Sequence, residues 1–208
     1  MPRRNRVTPL GELVADPAYG CVFGNRGGLH DDDGRIRRHH VGRRWIACRL
    51  EFKGRRRALL QPGRYTELFF LDDATALAAG HRPCAECRRE DFRAFAAAWP
   101  QDGPERPTAA AVDARLHAER LGDDGPRRRW HERPVDDLPD GAFLLRDDEP
   151  WLVRGGELLR WTAARYTDRL PRPTGEPAVV VTPPSTLAVL ERGWRPGAVP
   201  FLHRSALA

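Results

Sequence analysis

The chain predicts an α+β protein with a metal-knuckle α/β core and a small β-rich C-terminal part. Three observations lead there. Strand-like alternation surrounds Cys48, a Cys-X-X-Cys turn lies at Cys84 and Cys87, and short strand-like apolar runs, two of them joined at Gly155-Gly156, lie in the C-terminal half. With 208 residues the chain can bury a real core, read here as residues 1–100 for the knuckle domain and 101–208 for a helical connection with a β-rich part packed on it.

Residues 1–42 read as irregular and polar. Within them, 24–30 is dense in residues that tolerate positive φ and predicts an ordered turn ending at His30. No Gly-Lys-Ser/Thr follows, so the turn is not a phosphate loop of standard type. Residues 44–52 alternate, with Ile46, Cys48, Leu50 and Phe52 on an apolar face and Trp45, Ala47, Arg49 and Glu51 on the other. A turn at 53–55 and a returning strand at 57–61 complete a hairpin, and 65–71 is the next strand. Asp72 or Asp73 can N-cap a short alanine-rich helix that Gly80 terminates.

Pro83 then presents Cys84 and Cys87, whose spacing lets both sulfurs reach one tetrahedral ion. Phe92, Phe95, Ala96 and Trp99 mark a helix face ending at Pro100, and 108–121 a second helix with Thr108 as N-cap and Gly122 as stop. Residues 122–140 read as loop. Strands follow at 143–145, 151–153 and 157–161, the last two joined at Gly155-Gly156, then a strand at 178–181 and a helix at 185–191.

The stretch 79–88 (Ala-Gly-His-Arg-Pro-Cys-Ala-Glu-Cys-Arg), with Trp45-Ile46-Ala47-Cys48-Arg49 upstream, resembles the zinc domain of the bacterial adaptive-response proteins that repair methylphosphotriesters in DNA. The resemblance covers about residues 43–90. It implies a Zn2+ site on Cys48, Cys84 and Cys87, and puts Cys48 at the position of the cysteine that is both ligand and methyl acceptor. The family's next ligand, four residues on, is Phe52 here. That departure, with the apolar-face position of Cys48, predicts a structural ligand and not an acceptor. For the fourth ligand Cys21, His30, Glu51, His39 and His40 compete, and His30 is taken as the candidate.

Charge points to the partner. The net charge is +6, and of the 35 basic residues only Lys53 is lysine. A GC-rich coding bias accounts for arginine over lysine, but not for the excess of basic over acidic residues. A positive field favours phosphate-bearing partners, so nucleic acid, DNA in particular, is the expected partner, contacted through Arg37, Arg38, Arg49, Arg55, Arg57, Arg88 and Arg128. An alternative is a metal-dependent or base-flipping enzyme acting on a nucleotide or small anion, with His30, Asp113, His117 and Glu119 as its polar centre, since Asp113 and His117 lie one helical turn apart. A redox pair at Cys84 and Cys87 is a third reading, against which no βαβ pattern surrounds the motif. Neither a signal peptide nor an apolar run of about 18 residues is present, so a cytoplasmic location is expected.

Overall fold

Two sheets and a short helix between them define the architecture. The computed structural model describes residues 1–54, 58–101, 105–121 and 129–208. Among these, the first half of the chain holds strands β1 (Arg4–Val7), β2 (Leu13–Ala15), β3 (Val22–Asn25), β4 (Ile46–Cys48), β5 (Leu68–Phe70) and β6 (Arg82–Pro83), with helices α1 (Asp73–Ala78) and α2 (Arg89–Ala97). Helix α3 (Ala109–Arg120) leads to β7 (His131–Pro134), β8 (Phe143–Arg146), β9 (Glu149–Arg154), β10 (Glu157–Trp161), β11 (Tyr166–Pro171), β12 (Pro177–Val180) and α4 (Pro184–Glu191). The first sheet runs β2-β1-β5-β3-β4-β6, with β1–β5 and β4–β6 parallel; the second, β11-β10-β9-β8-β12-β7, is antiparallel. Mixed α and β content is as the sequence predicts, but strand dominates both halves.

Helix α1 explains how the layers join. All six of its residues are buried. Ala76, with Ala79 just beyond, packs on Val22, Ala47, Leu68 and Phe70 of the first sheet. Ala74 and Ala78 pack with Phe143, Leu152, Leu159 and Val181 of the second. Leu77 meets Phe95, Val112, Leu116 and Leu190 of the other helices. A helix enclosed on every side must carry small side chains, because larger ones would hold the layers apart. These clusters run across position 100.

The helix ends follow the predicted chemistry. Asp72 is the N-cap, its Oδ1 accepting from the Thr75 N–H at 2.9 Å, while its Oδ2 accepts from the Tyr166 hydroxyl and the His203 N–H, both at 2.8 Å. Burial pushes this carboxyl up, against the opposing pull of those donors. At the other end Gly80 takes φ +81°, and a Cβ there would lie 2.8 Å from Arg120 Cδ. The reversal feeds β6, which pairs alongside β4.

Several expectations need correction. Residues 1–42 are not irregular: β1, β2 and β3 form half the first sheet, and β3 is interior to it. They are short, and β3 carries Gly24, where a Cβ would meet the Ile46 carbonyl at 2.4 Å and the Phe70 ring at 2.8 Å. The strand expected over 44–52 spans only Ile46–Cys48. No strand forms over 58–61, while 55–57 lie outside the described residues. The loop expected over 122–140 contains β7, and β11 had no sequence signal, because its pattern of Thr-Asp-Arg leaves most of it exposed.

Candidate metal centre and the groove above it

The register of the first sheet builds the site. Phe69 pairs with Phe23, Phe23 with Cys48, and the Cys84 N–H donates to the Ala47 carbonyl at 2.9 Å. Because strand side chains alternate, Val22, Ala47, Leu68 and Phe70 face the core and α1, while Phe23, Asn25, Ile46, Cys48 and Phe69 face the opposite way. This reverses the predicted orientation of β4. Trp45 and Ala47 are the buried face, and Ile46 and Cys48 point outward into a groove.

At the groove's floor the sulfurs of Cys48, Cys84 and Cys87 lie within 4.8 Å of one another. Tetrahedral Zn–S bonds near 2.3 Å would place sulfurs about 3.8 Å apart, so the cluster has the right scale. Its backbone is arranged to stabilise negative sulfur. The N–H groups of Glu86 (3.4 Å) and Cys87 donate to Cys84 Sγ, and the Arg49 N–H donates to Cys87 Sγ. Contact with Cys48 and then Cys87 holds the Cys84 thiol far down, and the contacts with Cys84 and then Cys87 push Cys48 far up. Sulfurs this close resist ionising together, and a cation among them would relieve that repulsion. A soft three-sulfur donor set suits Zn2+. The four cysteines are all free, and no disulfide joins Cys84 to Cys87.

The knuckle is anchored from behind. Arg88, directly after Cys87, is fully buried: its two terminal nitrogens bind Asp73 at 2.6 and 2.7 Å and its Nε binds Asp91 at 2.9 Å. Asp91 in turn accepts from the Gly197 and Ala198 N–H groups. Beside it, Arg82 grips Asp113 with two bonds of 2.9 Å and lies over the Phe92 ring. The groove itself encloses about 1520 Å³. Half-buried Phe23, Tyr65 and Phe69 line it, and exposed Arg43, Arg44 and Arg49 stand along it.

Other predicted residues lie elsewhere. Among the described residues no histidine or carboxylate joins the three cysteines within that distance. His30 is bonded to Thr66 Oγ1 at 2.6 Å and to the Gln61 carbonyl at 3.2 Å. Cys21 lies beside Asp72, its thiol pushed up first by burial. His39 bonds to Arg26 and the Gly11 carbonyl, and Glu51 is exposed. The polar centre of His30, Asp113, His117 and Glu119 is not assembled: Asp113 serves Arg82, Glu119 accepts from Ser185 and Arg115, and His117 stacks near His40 at 5.4 Å. Arg88 has no surface to offer a phosphate. Arg37 is exposed and pairs with Asp31 at 2.7 Å, and Arg38 is exposed. Arg55, Arg57 and Arg128 fall outside the described residues.

Phe23, Tyr65 and Phe69 were missed as site residues. The period-two alternation of Val22, Phe23, Gly24 and Asn25 was the available signal, obscured by the glycine. Among the described residues no helix is long and apolar enough to cross a membrane. Comparison of the chain with protein-family models, curated proteins and solved structures gives no match in any of the three.

Proposed function

We propose that the protein binds Zn2+ through Cys48, Cys84 and Cys87 and holds nucleic acid, DNA foremost, in the groove over that centre. The observation that carries this reading is the coincidence of three mutually close sulfurs with exposed Arg43, Arg44 and Arg49 in one groove. Zinc would supply the charge that lets all three sulfurs ionise, and with it the stiffness of the knuckle. The arginines would position phosphates without reading sequence. Elemental analysis should find about one equivalent of zinc, retained in Cys21→Ser and lost in Cys84→Ser. DNA affinity should fall with salt, and Arg49→Gln should reduce the log–log slope by about 0.9 on duplex or about 0.7 on single strands. A zinc-free native protein, or one that binds no nucleic acid even at low salt, overturns the reading.

The outward orientation of Cys48 raises a second reading, a reactive thiolate at the centre. Three protein sulfurs leave one zinc position for another donor, and the sulfurs line the groove, within reach of its occupant. With Phe52 where a further sulfur would stand, the ligand-only role is preferred, and incubation with methylphosphotriester-containing DNA should leave the protein's mass unchanged. Gain of one methyl group on Cys48 would establish the acceptor role instead.

A further inference from the structure

We infer that the groove is shaped for unpaired nucleobases, so that the protein takes a single strand in preference to a duplex. The inference rests on the nucleic-acid reading above and adds to it which form of the polymer is held. Its basis is the row of side chains that the register lays across the outer face of β5, β3 and β4. The Phe23 and Phe69 rings are 5.8 Å apart at 68°, and the Tyr65 ring stands 6.2 Å from Phe23 at 57°. All three are half-buried and line the groove. Helix α1 covers the opposite face of the sheet, so these rings are not part of that core. The Arg6 guanidinium lies over the Phe69 ring at 4.8 Å, and an aromatic cluster lining a groove on the sheet face turned away from the core marks a binding face.

The chemistry of the occupant follows from what such rings can hold. In a duplex the base faces are stacked on one another and only edges reach the grooves, so an aromatic ledge finds nothing to stack on. An unpaired base presents both faces, and stacking on phenylalanine or tyrosine tolerates any sequence. Exposed Arg43, Arg44 and Arg49 along the same groove match the phosphates of that strand. Asn25, two residues from Phe23 and on the same face, offers an amide to a base edge. The volume, about 1520 Å³, exceeds the roughly 300–1,000 Å³ of a small-molecule site. A run of nucleotides fits it better than one free nucleotide.

The test compares a fluorescent oligothymidylate of about twelve residues with its duplex at one salt concentration, using the zinc-loaded full chain. Native protein should bind the single strand about tenfold or more tighter than the duplex. Phe23→Leu, which keeps apolar volume at the site, should weaken single-strand binding about five- to a hundredfold. It should leave the salt slope and zinc content unchanged, and Phe23→Trp should restore binding. Phe69→Leu provides an independent variant of the same ledge. Equal or tighter binding of the duplex overturns the inference, as does full single-strand affinity in both leucine variants, and either leaves the nucleic-acid reading standing. Absence of binding to both forms at low salt overturns the inference together with the reading beneath it.

Discussion

Arg88 shows how the identity of one side chain can hide its role. In the sequence it extends an arginine cluster beside the knuckle; in the structure its guanidinium is buried between Asp73 and Asp91. It therefore couples the residue after Cys87 to the first turn of α1 and to the 197–198 backbone. Arg88→Met should destabilise the protein by about 3–5 kcal/mol in denaturant titrations, because two buried carboxylates lose their counter-charge. The same variant should bind zinc more weakly. Trp45 sets up a second prediction at this scale. Its ring lies between the guanidiniums of Arg26 (4.5 Å) and Arg120 (3.8 Å), with His39, His40 and His81 around it and His117 next to His40. Burial first, then the charges of Arg120 and its neighbours, lower His40 and His117 below the ordinary value of 6.5. As pH falls through that value the unfolded chain takes up protons that the folded one resists, so stability is lost from there down to the depressed folded values. Melting temperature should decline as pH falls below about 6.5, and His40→Asn with His117→Asn should flatten the decline.

At the scale of elements, α1, the knuckle and the strands β4 and β5 were legible, and β1, β2, β3 and β6 were not. Asp72, Gly80 and Thr108 act as the caps and stop that their positions predict, because capping is local chemistry between residues three or four apart. The outward face of β4 was misassigned because Ile46 and Cys48 look apolar, whereas Trp45 and Ala47 are the residues that meet the core. Only partners distant in sequence decide which side of a three-residue strand is inside. Cys84 and Cys87 could be read from their spacing, and Cys48 from the motif around it. His30 could not be tested from sequence, since its place depends on Thr66 across a loop. Two substitutions probe α1. Asp72→Ala should cost at least about 2 kcal/mol, removing the cap and stranding the Tyr166 hydroxyl and the His203 N–H. Ala76→Leu should cost about 1–3 kcal/mol by overpacking the layer it faces. Chemical denaturation measures both.

For the whole molecule, the sharing of α1 among three clusters has a thermodynamic consequence. Residues 1–100 and 101–208 cannot shed one another without exposing Ala74, Leu77 and Ala78. Thermal unfolding of the zinc-loaded chain should be one cooperative transition with matching calorimetric and van't Hoff enthalpies. Chelation should lower its midpoint without splitting it, since only the fold brings Cys48 to Cys84 and Cys87 and the proposed ion would favour the folded state. Two resolved transitions would mean that each sheet carries a self-sufficient core.

The pairing of β4 with β3 and β6 also sets a condition that folding must meet. Phe23 opposite Cys48 and Ala47 beside Pro83 bring the sulfurs together only in one alignment. A slip of a single residue would turn Cys48 inward and send Ala47 into the groove. The pairs that must align lie far apart along the chain, so they close slowly against loop entropy. Capture of the proposed zinc would consequently be a late event that rewards the correct alignment and leaves the slipped one unsealed. In refolding followed by a zinc-sensitive dye, uptake should trail helix formation, and metal added early should not hasten it.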